Sequence, residues 1–406
     1  MIAERYTDYM YGLVDDVMKT IGARGSCSEE ERRLGRRFAS EIEGACGKVE
    51  TEKFTCSPNA FVGFFPLLVL AYLCGVVLYF FLPPLSCVIA LAAAVVLFLE
   101  TVRYKEFIDP AYPKKEGENV AGFIEPRGEA KKRVYVSAHF DSAYEFKIWY
   151  WFKNASSVVM GLGFLAVVLM FAFGLASSIA KPVGPPDSTT FMVLGYILVG
   201  FSPVVAIFFF FHTKDLVGGA MDDLTGIAVL AGLARYLGDA KDAGEFYPQN
   251  TEVVLLGLSS EEAGLRGAKR YSARHAADDE QIPCSGIFLD GICDESYFTV
   301  FNKEVWMGAL MDPGLVALTV ESARSLGFDI ATGVLPLGAT DASAFAQAGI
   351  PSVSLCLQIN KKLAPNYHTR LDTIEFVKPS SMTVALATVI EMLRRIDETA
   401  VVKASQ

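Results

Sequence analysis

A chain of 406 residues can bury a full core and still carry additions, yet 52% hydrophobic and only 20% charged residues is unusual for a soluble protein. Mean hydropathy is +0.35, and a formal net charge of -10 with no basic cluster excludes nucleic acid as a partner. Eight cysteines without a CxxC, with Cys74 and Cys87 inside apolar segments, exclude a secreted disulfide framework.

Residues 1–58 read as soluble and helical. Met1 to Arg24 mixes charges with apolar residues and has no signal-peptide core. Tyr9, Leu13, Val17 and Ile21 recur at four-residue steps along one helix face. Ser28 before Glu29-Glu30-Glu31 predicts a cap and a second helix, and Lys48 to Phe54 alternates as an edge strand does.

The character then changes. Phe54 to Leu99 contains no Asp, Glu, Lys or Arg. Phe61 to Leu82 is long enough to span a bilayer; Leu85 to Leu99, after Pro83-Pro84, is short for a span unless it extends to Val102. Asn154 to Ala180 and Ser188 to Phe211 form a second such pair. Four spans in two transmembrane hairpins, 59–100 and 153–212, are therefore expected. They leave 1–58, 101–152 and 213–406 on one side, able to form one domain. Lys48, Lys53, Arg103, Lys105, Lys147, Lys153 and Lys214 flank the spans on that side against Lys181 at the tips, which places the domain in the cytoplasm by the positive-inside rule. The bilayer is then a partner, and self-association through the apolar helices is compatible with the pattern.

From residue 213 the pattern is α/β. A helix over Gly226–Leu237, strands over Glu252–Leu258, Gly286–Leu289 and Ser352–Leu357, and a last helix over Ser381–Ile396 predict a three-layer sandwich around a mostly parallel central sheet.

Several strands end in residues that bind metal. Arg133 to Ala138 runs into His139-Phe140-Asp141, Thr251 to Leu258 into Ser259-Ser260-Glu261-Glu262, and Ser285 to Leu289 into Asp290. Asp222-Asp223 precedes a helix, and His368 and Asp372 share a loop after the strand that ends at Leu357. Each has an ordinary reading: His139 as a strand-end histidine, Asp222 as a helix cap, Asp290 as an Asx turn, His368 as loop surface. His212 and His275 read as surface. Jointly, however, carboxyl-end residues converge along one rim of an open sheet, and converging carboxylates repel unless a cation compensates them. Imidazole plus carboxylate without Cys suits Zn²⁺, with Co²⁺ or Mn²⁺ as possible substitutes. Two His and three carboxylates exceed one open tetrahedral site and suit two ions if one carboxylate bridges. One Glu of the Glu261-Glu262 pair is then free for general-base work, and Asp141 can fix the His139 tautomer.

The series His139-Phe140-Asp141, Gly219-Ala220-Met221-Asp222-Asp223, Ser260-Glu261-Glu262-Ala263-Gly264, Leu289-Asp290 and Tyr367-His368-Thr369 resembles the ordered motifs of the M28 family of zinc aminopeptidases. The likeness covers 101–152 and 213–396, and more loosely 1–58. It implies a two-zinc peptidase acting on peptides with a free amino terminus. His139, Asp222 and Asp290 would hold one zinc and Asp222, Glu262 and His368 the other, with Asp222 bridging. Glu261 would be the general base and Asp141 would orient His139. Two membrane hairpins depart from typical secreted members, and Thr340-Asp341-Ala342 stands where Ser-Asp-His is common. Two alternatives stay in view: a single-zinc glutaminyl cyclase, against which the His139 and Asp141 pair argues, and an inactive membrane receptor or scaffold, against which Glu261 argues.

Overall fold

β-branched and aliphatic runs bounded by polar turns form the strands of a mixed sheet. The computed structural model describes residues 2–182, 188–211, 213–359 and 364–399; His212 lies outside them. Nine strands occur among the described residues: β1 Lys48–Cys56, β2 Lys115–Ile124, β3 Lys132–His139, β4 Thr251–Leu258, β5 Cys284–Ile292, β6 Thr299–Glu304, β7 Ala309–Leu310, β8 Ala331–Leu335 and β9 Ser352–Leu357. Their order is β1-β2-β4-β3-β5-β9-β6-β7, with β8 alongside β6.

The expectation of a mostly parallel sheet needs correcting. The central β4-β3-β5-β9 block is parallel, as is β6 with β8, but β1–β2, β2–β4, β6–β9 and β6–β7 are antiparallel. Hydrophobic runs locate strands without giving their direction. The direction reverses on the flanks, where β1 lies at the edge with polar, half-exposed residues, as its alternation predicts.

Helices cover both faces. Successive β3 side chains point to opposite sides. Tyr135 meets Tyr271 of helix Arg266–His275 and Phe345 of helix Asp341–Gln347, at 5.9 and 5.7 Å between ring centroids. Phe140, just past β3, packs edge-on against Phe38 of helix Glu29–Ile42 at 5.6 Å. Ser28 caps that helix by accepting from the Glu31 amide. Helix Thr7–Thr20 buries Met10, Leu13, Val14 and Val17, a face rotated from the predicted one so that Tyr9 and Ile21 are only half-buried.

The chain divides into two compact units, one of residues 1–58, 114–143 and 216–406 and one of residues 59–113 and 144–215. The stretches 101–113 and 144–152, expected with the sheet, thus group with the helices. In that second unit, helices over Ala60–Tyr79, Pro83–Val102, Lys147–Ala180 and Thr189–Phe210 are long and apolar enough to cross a membrane. Small residues let them approach closely: a Cβ at Gly174 would stand 3.1 Å from the Cys87 backbone, and one at Gly75 would stand 2.7 Å from the Met170 sulfur. The Tyr72 and Tyr79 hydroxyls donate to the Leu198 and Phe191 carbonyls, both at 2.9 Å. Leu67, Val77, Val88, Val168 and Val193 are exposed on the same bundle.

Candidate active site

Register brings the strand ends level. His139 pairs with Leu258, so Ser259 to Glu262 follow beside it, and Ser137 pairs with Phe288, which puts Asp290 two residues on, as His139 is. The ligand atoms of His139, Asp222 and Asp290 lie within 4.8 Å of one another, as do those of Asp222, Glu262 and His368. Asp222 belongs to both groups. Its Oδ1 is 3.0 Å from His139 Nε2 and its Oδ2 is 3.3 Å from His368 Nε2. Glu262 Oε1 is 3.1 Å from the same His368 nitrogen. All five residues expected to bind metal are therefore brought to one place.

The two aspartates of the 222–223 pair have separate work. Asp223 accepts from the His139 amide at 3.3 Å and from the Gly226 amide at 3.2 Å, so it caps the following helix. That frees Asp222 to project between the imidazoles. Asp372 fixes the backbone there by accepting from Met221 and Asp222 amides at 2.7 and 3.3 Å. Gly219, at φ +64, must be glycine, because a Cβ would lie 2.5 Å from that of Ser142.

Asp141 contacts more than His139. His139 Nδ1 is 3.1 Å from the Asp141 carbonyl and 3.4 Å from its carboxylate. The carboxylate itself accepts from the Ser26 hydroxyl at 2.6 Å and from the Glu261 and Glu262 amides at 2.9 and 3.1 Å. It ties the first imidazole to the backbone carrying both glutamates.

Three buried charges escape sequence reasoning. The Arg24 guanidinium donates to the carbonyls of Gly22, Phe140, Gly218 and Gly219 at 2.7–2.9 Å. Glu31 accepts from the Cys27 and Ser260 amides, both at 2.7 Å. Glu304 accepts from the Thr340 amide and hydroxyl and from the Ser343 hydroxyl, fixing the turn that carries Asp341. The only sequence signal for the first two is the loose family likeness over residues 1–58. His275 sits away from the site, between Glu52 and Asp278 at 2.6 and 3.0 Å.

Electrostatically, the arrangement calls for a cation. Burial would raise Asp222, but hydrogen bonds from His139 and His368 outweigh it and hold the carboxyl below the usual range. Burial pushes Glu261 well up, eased by His139 and reinforced by Glu262, Asp341 and Asp290. Burial and then Asp222 do the same to Asp290. His368 is held up at about 10 because Glu262 and Asp222 outweigh its burial. Glu262 Oε1, 3.1 Å from His368 Nε2, is buried and has no geometrically formed hydrogen bond among the described residues. Two imidazoles, three carboxylates and this unsatisfied oxygen fit a pair of borderline dications.

A pH dependence follows. Asp372, pushed up to about 8 by burial and Asp222, and Asp341, pushed up to about 7 by burial, bind more protons folded than unfolded. Each loses stability as pH rises from the ordinary carboxylate range through its folded value. The raised His368 acts in the same direction, because its contribution is lost as pH rises through about 10. The metal-free protein should therefore melt lower at about pH 8 than at about pH 6, and zinc should raise Tm more at the higher pH. Thermal melts with and without chelator check this; a zinc gain that shrinks as pH rises would reject it.

A family model described as peptidase family M28 matches residues 199–393, a range that includes Asp222, Glu261, Glu262, Asp290 and His368. Aminopeptidase NAALADL1 of Rattus norvegicus is 25% identical over 209 residues, 46% of this chain and 28% of that protein. Among solved structures, a Zn-dependent exopeptidase from Parabacteroides distasonis aligns at TM-score 0.57 and 16% identity, covering 95% of this chain and 97% of that one. A glutaminyl cyclase from Bacteroides thetaiotaomicron aligns at 0.54 and 14%, covering 96% and 97%. The LapA aminopeptidase of Legionella pneumophila aligns at 0.55 and 11%, covering 98% and 74%. At these identities the structural likeness is one of fold.

Proposed function

We propose, from the match of residues 199–393 to the peptidase family M28 model, that this chain is a membrane-anchored aminopeptidase using two zinc ions. One observation carries the reading: a single buried carboxylate, Asp222, lies within 3.3 Å of two imidazoles and is shared by two complete ligand groups. His139, Asp222 and Asp290 would hold one ion, and Asp222, Glu262 and His368 the other. Bound zinc supplies Lewis acidity, polarising the scissile carbonyl and acidifying water.

The remaining work falls to the chain's own residues. Glu261 takes the proton from the attacking water and delivers it to the leaving amine. Burial and then the neighbouring carboxylates raise its pKa in the metal-free site, and nearby cations would oppose that shift and keep it ionised as a base. Asp141 holds the Glu261 and Glu262 amides, so the base and the ligand next to it keep different directions. The substrate is a peptide with a free amino terminus. Four helices among the described residues are long and apolar enough to anchor the enzyme, and the Lys and Arg excess flanking the spans supports a cytoplasmic catalytic domain.

The test is metal stoichiometry together with product analysis on detergent-purified protein. Close to two zinc ions per chain and release of amino acids from aminoacyl amides are expected. Cyclisation of amino-terminal glutamine with loss of ammonia, and one ion per chain, would replace this reading with a glutaminyl cyclase.

A further inference from the structure

Cys27 and Cys56 lie in no assigned role, yet they meet beside the catalytic loop. Cys27 sits in the turn before helix Glu29–Ile42 and Cys56 ends β1. Their sulfurs are 3.5 Å apart, and with Phe54 they form a small buried cluster. Cys27 Sγ is also 3.2 Å from Ser260 Oγ. Both Cys27 and Ser260 have left-handed backbones, at φ 57 and 61, a conformation that non-glycine residues adopt only when their surroundings impose it. The imposing group is Glu31, whose two oxygens each accept one of these residues' amides. Ser260 directly precedes Glu261. A displacement of the Cys27 sulfur is therefore transmitted through one side-chain contact and one shared carboxylate to the glutamate pair.

We propose that Cys27 and Cys56 are an oxidation site: a hydroperoxide converts them to a disulfide that draws Cys27 off Ser260 and loosens the Ser259–Glu262 turn. Cys27 is the nucleophile. The hydrogen bond with the Cys56 thiol, aided by Ser260, holds its thiol below the ordinary value against burial. The Cys27 sulfur attacks one peroxide oxygen and the O–O bond breaks. The departing oxygen takes the thiol proton and leaves as an alcohol, or as water from hydrogen peroxide, and Cys27 becomes a sulfenic acid. The Cys56 sulfur then attacks Cys27, the S–O bond breaks, and the hydroxyl leaves as water with the Cys56 proton. Two thiols are oxidised and one peroxide is reduced, so the step balances. The sulfurs must close from 3.5 Å to about 2.05 Å, which the Ser260 contact cannot follow while Glu31 holds both backbones.

The chemistry stands without the peptidase reading; only the expected loss of hydrolysis rests on it. Full-length purified protein is treated with hydrogen peroxide, mapped for a Cys27–Cys56 peptide without reduction, and followed by hydrogen exchange over residues 257–264. A dithiothreitol-reversible cross-link with about tenfold faster exchange of the Ser259–Glu262 amides is expected, together with a matching fall in hydrolysis. Cys56→Ser should keep the basal rate and exchange and lose the reversible response. No cross-linked peptide, or a cross-link with unchanged exchange, overturns the proposal. If the reduced protein hydrolyses nothing, the peptidase reading fails while exchange still decides this one.

Discussion

Glu261→Gln should lower hydrolysis of an aminoacyl amide by about 10²–10⁴-fold while leaving close to two zinc ions bound, the usual range for removing a general base. Gln is nearly isosteric, and the structural role of residue 261 is carried by its amide, which donates to Asp141 at 2.9 Å and is unaffected by the substitution. Neither ligand group contains Glu261. The loss should therefore fall on kcat, with KM nearly unchanged, because proton transfer belongs to the transition state. Metal analysis beside steady-state kinetics separates the outcomes. Zinc lost along with activity would make Glu261 a ligand, and hydrolysis at the wild-type rate would move the proton to another group. Asp341 is the alternative to test in that event: it is buried, its Oδ1 has no hydrogen-bond partner among the described residues, and its charge acts on Glu261.

The parts of this site legible in the sequence are those that strand ends impose. A β-branched run stopping at Glu261-Glu262, and others stopping at His139 or Asp290, announce both a strand and a rim, because parallel strands deliver their carboxyl ends to one edge. The Asp222-Asp223 pair was legible as a site but not divisible by composition, since either residue could cap a helix. The family resemblance selects Asp222, and Asp223 is engaged instead by the His139 and Gly226 amides.

Arg24 and Glu31 were not legible, because their partners are backbone groups far away in sequence. Arg24 reaches Phe140 and Gly219 across 116 and 195 residues, and Glu31 reaches Ser260 across 229. No local pattern encodes such contacts; the same glutamate reads equally well as a helix-opening charge. Strands β6 to β8 escaped for another reason. They are short and partly exposed, β8 having no buried residue, so they lack the apolar run that marks a central strand.

The shared carboxylate should be the most sensitive position for metal. Asp222→Asn keeps the shape but removes the charge common to both groups, so both ions should weaken together, with bound zinc falling from close to two per chain to well below one. Asp290→Asn or His368→Ala touches one group each and should remove about one ion. The same substitution also acts without metal. Asp222 is the carboxylate within 3.0 Å of His139 and 3.3 Å of His368, and breaking a buried ion pair on one side typically costs about 3–5 kcal/mol. Chelated Asp222→Asn should thus melt below chelated wild type at about pH 6, where the imidazoles are charged, and the gap should narrow as pH rises and they lose their protons. A variant that keeps two ions would show that the groups do not depend on a common ligand. One that loses a single ion would assign Asp222 to one group and leave the other to hold its metal with Glu262 and His368, or with His139 and Asp290, alone.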